Sequence, residues 1–212
     1  MCSSLSKNDL EKEDNLFDSF CSQFSSEQKV SIKEIIEVAP WLLKSKFNNA
    51  VISIGRDNEF IIWESGLWRS GIWYDGRWES GIWKSGHWLK GLWLDGEWFD
   101  GIWDSGIWHS GIWHDGIWHC GEWLDGKWFD GCWKDGSWID GEWVDGTWYC
   151  GTWNNGDWYD GEWLNGLWLN GIWRNGIWLN GNWSTGYWWD GCWLSGNWNS
   201  GSIVGIASFH HP

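Results

Sequence analysis

The chain has 212 residues, among them 30 Trp and 30 Gly against two Pro and one Met, and a formal net charge of −15. That composition excludes an ordinary mixed core and signals an imposed period. No run of 18 apolar residues occurs, and Met1 to Lys7 lack the apolar stretch of a signal peptide, so a cytoplasmic protein is expected, with a viral or phage protein made in a host cytosol fitting as well.

The charge is uneven. Residues 1–60 carry 7 basic and 10 acidic groups, whereas residues 61–212 carry 7 and 19. The acidity therefore belongs to the later part of the chain, and it disfavours nucleic acid phosphates and anionic membranes as direct partners. Cys2, Cys21, Cys120, Cys132, Cys150 and Cys192 show no CxxC spacing, so free thiols are expected.

Residues 1–24 are polar with a helical stripe at Leu10, Leu16, Phe17, Phe20 and Phe24. Ser31-Ile-Lys-Glu34 has capping-box spacing and opens a helical pattern at Ile32, Ile35 and Ile36, which Pro40 limits. Val51-Ile-Ser-Ile54, then Arg56-Asp-Asn-Glu59, then Phe60-Ile-Ile-Trp63 reads as strand, turn, strand. Residues 1–60 thus form a helical segment with capping strands. Ile35, Ile36, Trp41, Leu42 and Leu43 are expected to cover the open end of the repeat array that begins at Ile61, since an uncovered strand edge invites aggregation.

From Trp63 to Trp198 a tryptophan recurs every fifth residue, giving 28 units of consensus Gly-x-Trp-x-[Asp/Asn/Ser]. The array spans residues 61–205, and residues 206–212 form a tail. Asp-Gly, Asn-Gly and Ser-Gly are turn dipeptides, so the chain bends every five residues and each Trp faces the same way. Left in water these rings would form a patch far beyond the few hundred Å² usual for a monomer. Trp63, Trp68, Trp73, Trp78, Trp83, Trp88, Trp93, Trp98, Trp103 and their successors are therefore expected to be a buried core. Gly201-Ser-Ile-Val204 puts Ile203 at the Trp position, as an atypical terminal unit would.

Two architectures satisfy a bend every five residues. A solenoid with four bends per coil repeats every 20 residues, giving 7 coils and about 34 Å of length at ~4.8 Å per coil. It predicts outward ladders spaced by 20, such as Ile72, Leu92, Ile112, Cys132, Thr152, Ile172 and Cys192. Asp75, Asp95, Asp115 and Asp135 would form another, and Glu122, Glu142 and Glu162 a third. The alternative is an antiparallel meander with a hairpin at each Asx-Gly.

The array resembles the pentapeptide-repeat family, with Trp at the centre of each unit where that family has Leu or Phe. The resemblance implies a right-handed quadrilateral β-helix. The piece Gly141-Glu-Trp-Val-Asp-Gly146 also resembles the turn of MORN repeats, which implies the meander.

No catalytic grouping and no phosphate-binding Gly loop is present, so a non-enzymatic structural or protein-interaction repeat rod with an acidic outer surface is expected, with no cofactor. Its partner would be a protein, and the rod a monomer or an end-to-end or side-by-side oligomer. Asp95, Asp115, Glu122, Asp135, Glu142 and Glu162 are the candidate interaction face. The alternative is an acidic nucleic-acid mimic that inhibits a DNA-binding enzyme such as a topoisomerase, which some members of the resembled family do. His109, His114, His119 and Cys120 cluster in sequence, and metal binding requires that they converge.

Overall fold

A computed structural model describes residues 17–56, 59–205 and 208–209. Cys2, Leu10 and Leu16 of the amino-terminal stretch, and Asp57 and Asn58 of the turn, lie outside the described residues. The chain is an all-β parallel solenoid preceded by a short mixed cap.

A helical turn over residues 17–21 leads to α1 (Ile32–Val38) and a 3-10 turn, Pro40–Lys44. Two long antiparallel strands come next, β1 (Lys46–Ile54) and β2 (Ile61–Ser70). The expected capping box opens α1, with the Glu34 carboxylate accepting the Ser31 backbone N–H at 3.2 Å. From β3 (Ile72–Trp73) to β28 (Asn197–Trp198) each strand is a dipeptide ending in Trp.

The register fixes the coil. Trp63 pairs with Trp78, Trp68 with Trp83 and Trp73 with Trp88, always in parallel. The repeat is therefore 15 residues and the coil has three sides, not the expected four. The 28 units make about nine coils instead of seven, which is ~45 Å at ~4.8 Å per coil. The antiparallel meander is also set aside: among the described residues every pairing within the array is parallel, and only β1 with β2 is antiparallel.

Indole size explains three sides. Each side contributes one ring to a coil, and consecutive rings meet edge to face at 5.6–6.0 Å and 72–75°. Three rings in this arrangement close around the axis. A fourth would enlarge the cross-section and leave space along it, which a close-packed interior does not tolerate. Along the axis each ring lies 4.7–4.9 Å from the ring one coil away, at 3–7°. That separation equals strand spacing and exceeds ring thickness, so the rings stack offset, the arrangement aromatic pairs favour. Trp63 through Trp188 are fully buried at every fifth position.

Backbone chemistry makes the corners. The residue after each Trp donates its N–H to the Trp carbonyl one coil earlier, as Phe129 does to Trp113 at 2.8 Å. The residue before each Trp donates to a Gly carbonyl, as Cys132 does to Gly116 at 2.9 Å. Gly131 shows why the corner needs glycine. Its φ is +120°, and a Cβ there would sit 2.5 Å from the Gly116 carbonyl oxygen. Corner Asp residues accept the N–H of the following Gly, as Asp130 does from Gly131 at 2.6 Å. Corner Ser residues instead donate to a carbonyl one coil back, as Ser105 does to Leu89 at 2.8 Å.

The cap covers the amino-terminal end as expected. β1 lies on β2, with Phe47 opposite Trp68 and Ile52 opposite Trp63. Trp41 packs edge-on to Trp73 at 5.3 Å and so covers the third side. Ile35 and Leu42 are fully buried, Ile36 packs partly against them, and Leu43 departs from the expectation by facing solvent. The outer edge of β1 is closed in turn. Gln28 bonds both the N–H and the carbonyl of Ile52 at 2.7 Å, and Gln23 accepts the Phe47 N–H at 2.7 Å. The expected terminal unit also forms, with Ile203 in register with Trp188, but the array does not end at 205 as expected: Ser208–Phe209, placed in the tail, pairs in parallel with Cys192–Trp193 and continues the coil.

Candidate interaction surface

A repeat of 15 redistributes every outward residue. The expected ladders spaced by 20 advance one side at each step, so they wind around the coil instead of lining a face. Asp95, Asp115 and Asp135 fall on three different edges. Glu122, Glu142 and Glu162 pair with Ser137, Asp157 and Ile177 on three different sides. The Ile72 to Cys192 ladder disperses in the same way, since Ile72 pairs with His87 and Ile112 with Lys127. The candidate face as a unit is thus corrected, although each of its acids remains on the surface.

Columns spaced by 15 replace it, and one corner column is nearly uniform. Asp100, Asp115, Asp130, Asp145 and Asp160 occupy five successive coils, followed by Asn175 and Asp190. All seven side chains are exposed. The Asp residues each accept the next Gly N–H through Oδ1, at 2.6–2.8 Å, which leaves the second oxygen outside that turn bond. The Asn175 amide donates to Oδ2 of Asp160 at 3.1 Å and continues the row. Asp100, Asp130, Asp145 and Asp160 escape a search for ladders at spacing 20, and a count at spacing 15 is the signal that finds them. A neighbouring corner is mixed: Asp125 and Asp140 give way to Asn155 and Asn170, with the Asn155 amide donating a hydrogen bond to Asp140 at 3.2 Å and the Asn170 amide one to Asn155 at 3.3 Å.

The basic groups of the array are committed elsewhere. Arg77 pairs with Glu79 at 3.1 Å, Lys90 with Asp75 at 2.8 Å, Lys127 with Glu142 at 2.9 Å and Arg174 with Asp157 at 3.0 Å. The Asp157 hydrogen bond raises the Arg174 pKa further above its ordinary value. Arg69 bonds Asn48. Lys84 lies 3.2 Å over the Phe99 ring and Lys134 3.3 Å over Tyr149. Among the described residues, no Lys or Arg pairs with an aspartate of the uniform edge.

The histidines do not converge. His109, His114 and His119 come directly after successive tryptophans, so they stand on three different sides. His114 is sandwiched between Phe99 at 4.4 Å and Phe129 at 5.4 Å. His119 meets Asp104 at 2.9 Å, and the other oxygen of Asp104 meets His87 at 2.7 Å. Cys120 is exposed on a corner beside them. Among the described residues, no three His, Cys, Asp or Glu side chains are grouped so as to hold a metal ion.

Among the described residues no helix is long and apolar enough to cross a membrane. No family model, no curated protein and no solved structure matches this chain.

Proposed function

We propose that the protein is a non-enzymatic interaction rod whose uniform aspartate edge docks a basic segment of a partner protein. The observation that carries this reading is the row itself: five carboxylates in consecutive coils, with the array's own cations bound elsewhere. At ~4.8 Å per coil the row has a pitch comparable to the residue spacing of an extended basic peptide within a factor of two. An unneutralised row of one sign raises the association rate of a basic partner and makes binding salt-dependent.

Mimicry of a nucleic acid is the second reading, favoured by the regular spacing of the row, one carboxylate per coil. Its charge density argues against it. A duplex presents one charge per ~1.7 Å of axis, whereas the row presents one per ~4.8 Å.

Binding of an oligolysine peptide to the intact chain tests the proposal. The triple variant Asp115→Asn, Asp130→Asn, Asp145→Asn removes three charges from one edge. At ~0.2–1 kcal/mol per charge, affinity should fall by roughly 3- to 150-fold, and the salt dependence should flatten. The triple variant Asp95→Asn, Asp115→Asn, Asp135→Asn removes the same charge from three edges and should lose much less. Equal losses in the two variants would show that only net charge matters, and the edge would then have no role. Inhibition of topoisomerase supercoiling by the native chain, lost in the first variant alone, would move the assignment to mimicry.

A further inference from the structure

The tryptophan core forms one optical network as well as one packing unit. Rings in each stack are spaced at 4.7–4.9 Å and lie nearly parallel. Edge contacts of 5.6–6.0 Å join the three stacks. Trp41 joins them at one end through its 5.3 Å contact with Trp73. Dipolar transfer of excitation falls with the sixth power of separation, and contacts this close lie far inside the range over which like indoles exchange it. An excitation created on any core ring therefore visits many others before it is emitted.

The surroundings of the rings are not uniform. Along the body the indoles are fully buried, and for most of them the N–H has no acceptor. Toward the carboxy-terminal end Trp168, Trp173 and Trp183 donate to the carbonyls of Thr185, Asp190 and Ser200 at 3.0–3.1 Å. Trp193 is 8% exposed there, and Trp198 is half-buried. Trp41 is half-buried at the opposite end. The emitting state of indole has a larger dipole than the ground state, so hydrogen bonding and water lower its energy and an apolar interior does not. Excitation that moves freely collects where the ring is wettest.

We propose that the array acts as an ultraviolet energy collector: light absorbed anywhere in the core migrates through the stacks to the wetter indoles at the ends, chiefly at the Trp198 end. No atom or electron is transferred; the absorbed energy alone moves. A consequence is that emission reports the ends of the rod, although the average tryptophan is buried.

Emission anisotropy of the intact chain in a rigid glycerol glass tests this directly. Excited in the main indole band, it should fall severalfold below that of N-acetyltryptophanamide in the same glass, and it should recover on excitation at the red edge of the band. Equal anisotropy for protein and free chromophore at both wavelengths would overturn the proposal. Acrylamide quenching supplies a second reading in solution. The quencher reaches half-buried Trp41 and Trp198 and also Trp189, which follows Trp188 outside the stacks near the same end and is 45% exposed, yet most of the emission should be lost. The variant Trp41→Phe, Trp189→Phe, Trp198→Phe should emit further to the blue and resist quenching. Loss of only the few-indole share of emission, unchanged in the variant, would contradict migration.

Discussion

The cap and the array solve the same problem with opposite means. In the cap, Phe20, Phe24 and Phe47 meet edge to face at 5.1–5.6 Å, and a helix, a 3-10 turn and two long strands bury a mixture of Ile, Leu, Ala, Phe and Trp. In the array one residue type in one orientation fills the whole interior. The uniform arrangement can be extended coil by coil, since each coil contacts mainly its neighbours. Nothing within a unit ends it, so the array stops only where the unit itself changes, with Ile203 in register with Trp188 and Phe209 with Trp193. The two ends of the rod differ accordingly. The amino-terminal end is covered by β1, Trp41 and the glutamines that close the β1 edge. The carboxy-terminal end tapers through Trp198 to Ile203 and Val204, which are 49% and 47% exposed.

Removal of the cap is the most severe way to break this contrast. Deleting residues 1–50 uncovers Trp63, Trp68 and Trp73 and a strand edge, so the product should aggregate, as size-exclusion chromatography would show. A soluble monomer would mean that the cap serves a partner instead of the array. Substitution within the stack comes next. Trp128→Ala leaves a cavity between two coils and should cost about 3–5 kcal/mol, whereas Trp198→Ala, at the half-buried end, should cost clearly less by thermal or urea unfolding. Equal costs would show that position in the stack is immaterial. Gly131→Ala should rank below these at about 1–3 kcal/mol, from positive φ and contact with the Gly116 carbonyl.

The cap was largely legible in the sequence. The Ser31–Glu34 spacing, Pro40 and the two apolar runs of the hairpin each have a local cause, and the local structure obeys them. The exposed Leu43 was misplaced because a 3-10 turn has three residues per turn, and its apolar run cannot all face inward. In the array the bend, the inward Trp and the parallel stacking were also legible, because Gly and Asx act within one unit. The number of sides was not. It depends on how indoles meet across the axis, which no single unit records. The choice between 15 and 20 was open to a longer count, since Asp100, Asp115, Asp130, Asp145 and Asp160 form a more uniform series than any at spacing 20. At a spacing of 20 the acids of the candidate face scatter over three edges and three sides, and the row at a spacing of 15 does not show.

The aspartate edge exists only if the coil has 15 residues, and a disulfide scan tests that coil most directly. A disulfide requires Cα atoms about 4.4–6.8 Å apart, which neighbouring coils satisfy at ~4.8 Å. In a background with the six native cysteines replaced by serine, Asp115→Cys with Asp130→Cys should cross-link under mild oxidation. Asp115→Cys with Asp135→Cys, on different edges, should stay reduced. The reverse result, cross-linking at 20 and none at 15, would restore the four-sided coil and dissolve the aspartate row.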